Sequence, residues 1–234
     1  MPGQISVGGQ SGYIIVPNAY LIDDSHLLIS VQSNPEEYAI LTYRERVPGD
    51  EFIYSMNIGF IPRINLILNL SRINGWVEET GIGDRDAQIT IHALRETEKL
   101  PSVVINLEVP LGVNQFLAGN HVVLSKSFTL MPSLRGDISA GYGIPYRFGR
   151  EENLGNYSDF GTAKFRPKHN EYLNGIFGGI QLRTAKGIYI SLEHDSQKIN
   201  GGLGLKVFNS LYLQAFALGF RKLGIGASYQ FNLR

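Results

Sequence analysis

The feature that most constrains this chain is alternation. Its last stretch, residues 222–234, sets Leu223, Ile225, Ala227, Tyr229, Phe231 and Leu233 between Gly224, Gly226, Ser228, Gln230 and Asn232. Successive side chains on a strand point to opposite faces, so the stretch predicts one oily face and one polar or crowded face. It runs for about eleven residues, close to what a tilted strand needs to cross a bilayer.

The same period recurs upstream. Residues 26–33 align Leu27, Ile29 and Val31; 52–60 align Phe52, Tyr54, Met56, Ile58 and Phe60; 63–73 align Ile64, Leu66, Leu68 and Leu70. Residues 85–94 oppose Ala87, Ile89, Ile91 and Ala93 to Asp86, Gln88, Thr90 and His92. Residues 102–108, 134–142, 188–195, 200–208 and 211–218 read likewise, and the glycine-rich 172–183 is ambiguous. In 121–128, Lys126 shares a face with Val122, Leu124 and Phe128, which requires a snorkelling side chain or a bulged register. With the closing strand the total is about twelve, an even number suited to a bacterial membrane barrel.

The connections form a separate test. Links after even-numbered strands are mostly tight (Ile61-Pro62, 129–132, 184–186, Asn209-Ser210), whereas those after odd-numbered strands include 34–51, 74–84, 109–120 and 144–171. Short turns on one side and long loops on the other mark an outer-membrane barrel, and a soluble sandwich has no reason to segregate them. The links near Gln197 and Gly219 are short exceptions, and 38–46 is expected in a loop hairpin rather than the wall. Residues 1–25 do not alternate and carry a Pro17-Asn18 turn signal. The organisation is therefore a lead segment at 1–25, acting as plug or strap, and a barrel at 26–234. The fold class is all-β: a transmembrane, antiparallel, up-and-down barrel.

Composition removes other classes. Among 234 residues, 21 basic and 21 acidic groups balance, so no nucleic-acid partner and no polybasic membrane patch is expected. Cysteine is absent, which excludes a disulfide scaffold and thiolate metal ligands. No apolar run reaches the ~20 residues of a membrane helix, a test to which alternating strands are blind. Met1-Pro2-Gly3-Gln4 lacks a basic n-region and an apolar h-region, so placement in the outer membrane expects a leader already removed.

Gly226 followed by Tyr229 and Phe231 resembles the C-terminal sorting strand of bacterial outer-membrane barrels, although those usually finish on an aromatic residue and this chain finishes Leu233-Arg234. The run from Phe52 through Asn57-Ile58-Gly59-Phe60-Ile61-Pro62-Arg63-Ile64-Asn65 has the strand, Gly-Phe-x-Pro-Arg turn, strand layout of the YjbH-like exopolysaccharide biosynthesis proteins. Gly83-Asp84-Arg85-Asp86, Ser11-Gly12-Tyr13-Ile14-Ile15-Val16-Pro17-Asn18-Ala19 and Val123-Leu124-Ser125-Lys126-Ser127-Phe128 are similar to further segments of that family. The resemblance spans roughly residues 11–142, with 34–51 as an insertion. It implies an outer-membrane barrel for secretion or assembly of extracellular polysaccharide, as a pore or as the membrane anchor of an envelope complex. Its partners would be outer-membrane lipid, polysaccharide and other envelope proteins; it brings no catalytic residue and no cofactor.

Candidate chemistry is sparse. His26, His92, His121, His169 and His194 show no metal-ligand spacing, so no metal is expected. Glu193-His194-Asp195 splits across the two faces. An outer-membrane lipid-modifying enzyme is one alternative and would lean on His92, the only mid-strand histidine on a polar face, but no Gly-x-Ser-x-Gly elbow accompanies it. The plainer reading bonds His92 among Gln88, Thr90 and Asp86, and no enzyme is expected. A soluble barrel binding a small ligand is the other alternative. The glycines of 201–204 and 178–179 lack a following Lys-Ser/Thr and read as bends or close packing.

The expected lumen-lining set is Arg85, Asp86, His92, Arg135, Asp137, Tyr189, Glu193 and Asp195. Opposite charges there either pair into a network that props and blocks the barrel, or line a polar path for sugars with Tyr189, Tyr212 and Phe216 as stacking faces. Twelve strands lie between a filled barrel and an open channel. The 144–171 loop is long enough to fold in as a plug or to contact a partner.

Overall fold

The computed structural model describes residues 4–38, 49–73, 84–109, 119–144, 146–149, 161–164 and 172–233. The wall strands are β1 (His26–Asn34), β2 (Glu51–Ile61), β3 (Ile64–Ile73), β4 (Asp84–Leu94), β5 (Ser102–Val109), β6 (His121–Met131) and β7 (Leu134–Gly143). After a small hairpin of β8 (Tyr146–Gly149) and β9 (Gly161–Lys164), the wall resumes with β10 (Gly175–Thr184), β11 (Ile188–His194), β12 (Ile199–Val207), β13 (Leu211–Leu218) and β14 (Lys222–Asn232). Each wall strand pairs antiparallel with its neighbour in the chain, β7 joins β10, and β14 returns to β1. The seam runs from His26↔Asn232 to Gln32↔Gly226, closing a twelve-stranded barrel. A 3-10 turn occupies Glu36–Tyr38, and the rest of the expected 38–46 hairpin lies outside the described residues.

Tight turns gather at one end. Proline starts two of them, Pro62-Arg63 and Pro132-Ser133, and each sits beside a register shift, at Gly59/Ile61 and at Thr129/Met131. Proline presets the first turn residue, and Arg63 accepts a left-handed φ of 71° at the second. The links at 195–198 and 219–221 are short although they lie at the opposite, loop end.

Alternation resolves into a direction. Ile29, Leu124, Ile138, Ile190, Leu203 and Ile225 are exposed on the outside, while Ser30, Ser125, Ser139, Ser191 and Gln214 are buried on the inside. A soluble barrel places these two sets the other way round. Exposed aromatics gather near the ends: Phe60, Phe208 and Phe231 toward the turns, Tyr142 and Phe220 toward the loops. The Lys126 conflict is settled by reach. Its ammonium leaves the apolar face to meet the carbonyls of Thr97, Glu98 and Leu100 and stands 3.4 Å from the Glu96 carboxylate, with the pairing of Lys126 to Ile138 intact.

Inside the wall lies the lead segment. Bridges Ile5↔Ser11 and Gly12↔Pro17 fold it into two small hairpins, and its apolar residues meet the few apolar residues that point inward. Ile5 and Ile22 pack on Leu28; Tyr13, Val16 and Ala19 on Val104, Val123 and Phe177; Ile14 and Ile15 on Tyr38, Phe216 and Leu218. Each such side chain contributes roughly 1.5–3 kcal/mol when fully buried.

Burial would raise the Glu96 carboxyl, but donors from Ser127 N and Oγ, Tyr20 and Lys126 outweigh it and hold it below its ordinary value. A depressed carboxyl contributes stability above its unfolded value and loses it as pH falls through the folded one. Acidification through that lowered value is therefore expected to loosen the 95–101 turn. Limited proteolysis at stepped pH should show faster cleavage there, with Lys126→Ala reproducing the effect at neutral pH.

Candidate functional site

A segment lodged inside a barrel brings its own backbone polar groups, and each buried N–H or C=O must find a partner. The wall provides them. Glu193, 2% exposed on β11, accepts Ile14 N at 3.0 Å and Val16 N at 3.0 Å on Oε2, and Ile15 N at 2.8 Å on Oε1. Asn200 donates a fourth bond to it at 3.1 Å. Three consecutive N–H groups converging on one acceptor form an anion nest, here filled by a side chain of the same protein.

Around that nest the wall amides form a ladder. Gln32 donates to the carbonyls of Ile5 and Ser6 at 2.8 and 2.9 Å, Asn57 to Gly9 O at 3.1 Å and Asn69 to Gly8 O at 3.0 Å. Gln181 donates to Gln4 Oε1 at 2.7 Å, and Gln4 donates to Tyr13 O and to Gln214. Gln10 donates to Gln88 at 2.6 Å and accepts from His121 at 3.0 Å. Tyr13 donates its hydroxyl to Asp137 at 2.6 Å and lies 2.8 Å from Ser139 Oγ. Lower down, Ser125 accepts Ala19 N at 2.7 Å, Ser102 donates to Ala19 O at 2.7 Å, and Tyr20 donates to Glu96. Burial, with the Glu96 carboxylate beside it, pushes the Tyr20 hydroxyl well above the usual tyrosine range, so it remains a donor.

Glycines make room. A Cβ on Gly179 would stand 2.7 Å from the Tyr13 ring, and one on Gly202 would stand 3.0 Å from Ile14 Cδ1. The glycine runs of β10 and β12 thus act as close packing against the lead segment. At the loop end the segment's tip is covered as well: Tyr172 donates to Tyr38 O at 3.0 Å, and the Lys198 ammonium lies 4.0 Å from the Tyr38 ring centre. Segment and wall together close the lumen. Inward polar side chains such as Gln32, Asn57, Gln88 and Asn106 are 0–2% exposed, which a water-filled channel would not produce.

The charged positions singled out from the sequence divide. Asp86, Tyr189, Glu193 and Asp195 are buried on the inside, and Asp137 is half-buried there beneath Tyr13. Asp195 caps its own loop, accepting from Gln197 N, Lys198 N and Asn200. Arg135 has inward register but stands exposed at the turn-end rim. Arg85 corrects the expectation: it is exposed on the outer face, in the parity of Ala87, Ile89 and Ile91, opposite the outward Leu70. Among the described residues neither Arg85 nor Arg135 forms an ion pair, so hydrogen bonds to the lead segment brace this lumen at the places where paired charges were one expectation.

His92 is not bonded among Gln88, Thr90 and Asp86. Its Nε2 lies 2.6 Å from Ser102 Oγ across β4 and β5. Ser102 is fully buried, and its hydroxyl donates to Ala19 O at 2.7 Å. An activated nucleophile needs a hydroxyl that gives its proton to the base and stands open to substrate. The pair clamps the lead segment. The amide ladder of Gln4, Gln10, Gln32, Gln181 and Gln214 is absent from the sequence expectations, although uncharged amides recurring at inward parity were its signal.

Removing the nest acceptor tests this architecture. Glu193→Ala leaves three buried N–H groups unpaired, and hydrogen exchange at residues 14–16 should accelerate by about two orders of magnitude, the equivalent of ~3 kcal/mol. Exchange within β2 and β3, which do not touch Glu193, should be unchanged.

No protein-family profile matches the sequence, and no curated protein matches it. Among solved structures, the chain is similar to the COG4313 outer membrane channel from Pseudomonas putida F1, at 12% identity and a TM-score of 0.42 over 91% of this chain and 97% of that one.

Proposed function

We propose that the protein is an outer-membrane barrel, held closed at rest by its own lead segment, that serves in secretion or assembly of extracellular polysaccharide. Membrane placement is supported by the outward apolar wall: strands of about the spanning length, closed so that no edge is left unpaired, with aromatics near both ends. The turn end then faces the periplasm. A soluble ligand-binding barrel would have to expose that same wall to water.

One observation carries the functional reading. Between three apolar clusters that fasten the lead segment, the rest of the lumen is sealed by exchangeable hydrogen bonds between amides, hydroxyls and a backbone. Such bonds are worth only about 1 kcal/mol each, net, because water or a sugar hydroxyl replaces either partner. Withdrawal of residues 4–22 would leave a wall of Ser30, Gln32, Asn57, Gln88, Asn106, Gln181 and Gln214, chemistry matched to a hydroxyl-rich polymer. The polysaccharide assignment also rests on the YjbH-like resemblance.

In planar bilayers the intact protein should be closed or conduct in rare bursts. Glu193→Ala and Gly179→Leu, which free or crowd out the tip, should open it, and neutral dextran fragments should block the open current. A barrel equally silent in both variants would turn the reading toward a permanent anchor.

A further inference from the structure

The turn end of the lumen gathers cations from three strands. On adjacent strands β7 and β10, Arg135 and Arg183 are direct cross-strand partners, and both have inward parity. Like charges facing each other across a ladder are destabilising. Two strands further on, Lys206 of β12 also has inward parity. Tyrosine rings support two of these cations: the Arg183 guanidinium lies 5.9 Å from the Tyr189 ring centre and the Lys206 ammonium 5.3 Å from that of Tyr212. The two rings meet edge-on at 6.4 Å. Among the described residues none of the three cations forms an ion pair. The inward carboxylate beside them, Asp137, accepts the Tyr13 hydroxyl at 2.6 Å and balances part of the Arg183 charge, so three cations face one anion.

We propose that Arg135, Arg183 and Lys206 form a collar at the turn-end mouth that binds the carboxylates of an acidic polysaccharide. The proposal rests on the polysaccharide reading above and names the class of chain handled. The cations spread over three strand spacings, roughly 14 Å, which fits an extended polymer with spaced charges better than a single small anion. Guanidinium groups take carboxylates in paired, charge-assisted hydrogen bonds. On the next inward positions, Gln181 and Gln214 stand beside Gln4 and supply amides for sugar hydroxyls. Held on tyrosine rings, the cation heads lose less freedom on binding than mobile surface side chains would.

The test uses the full chain in detergent, titrated calorimetrically with oligogalacturonate, with a neutral dextran fragment of equal length, and with polyphosphate of equal charge. Oligogalacturonate is expected to bind, to weaken steeply with salt, and to weaken at least ten-fold in the Arg135→Gln/Arg183→Gln variant. Arg135→Lys/Arg183→Lys should keep part of the affinity. Heat-modifiable gel mobility reports whether each variant is folded, and Lys206→Gln gives a milder second variant. Oligogalacturonate binding that is absent, matched by dextran, or unchanged in the Gln variants overturns the collar, and tighter binding of polyphosphate reassigns it to phosphate. If Glu193→Ala conducts and dextran blocks it while oligogalacturonate does not bind, the collar fails and the polysaccharide-handling barrel stands. A chain that stays soluble without detergent sinks the membrane reading itself.

Discussion

A buried backbone cannot be left without partners, and this molecule is arranged around that constraint. The wall of a barrel satisfies its own ladder, but a segment placed inside it arrives with unpaired donors and acceptors. Glu193 answers three donors at the tip, and Gln32, Asn57 and Asn69 answer carbonyls lower down. The identity of the inward residues follows. They are amides and hydroxyls because what they face is largely main chain, and they turn apolar, at Leu28, Val104, Val123 and Phe216, where the segment presents apolar side chains.

Much of the wall was legible in the sequence, because a period of two needs no knowledge of neighbours. Leu203 and Leu205 announce their face by parity, and the tight turns at Pro62 and Pro132 mark one end of the barrel. Parity also sets the limit of the reading. At Arg85 the charge suggests the lumen, whereas its place in the strand sets it with Ala87 on the outer face. His92 finds Ser102 and not its same-strand neighbours because Ser102 is the inward residue next to its pair partner Val104 on β5, and a cross-strand neighbour leaves no mark in one strand's alternation.

The interior was harder to read for a different reason. Residues 4–22 have no period to index, and what they offer the wall is mostly N–H and C=O, which every residue type carries. Nothing in the letters Ile14, Ile15 and Val16 shows that three amides will converge on an acid about 180 positions later in the chain. Glu193 looked like half of an acidic pair; its role is set by the shape of a turn. Glycine gives a second indirect sign beside the inward amides, since Gly179 and Gly202 are small where Tyr13 and Ile14 come close.

Gln4 and the run Asp23–Ser25 both lie toward the same end of the barrel, near the tight turns. The segment is therefore a re-entrant loop and not a thread passing from one mouth to the other. A segment of this topology enters and leaves by one mouth, and its place inside the wall costs no rung of the seam between β1 and β14. Both ends of the segment are reached from the turn side of the barrel alone.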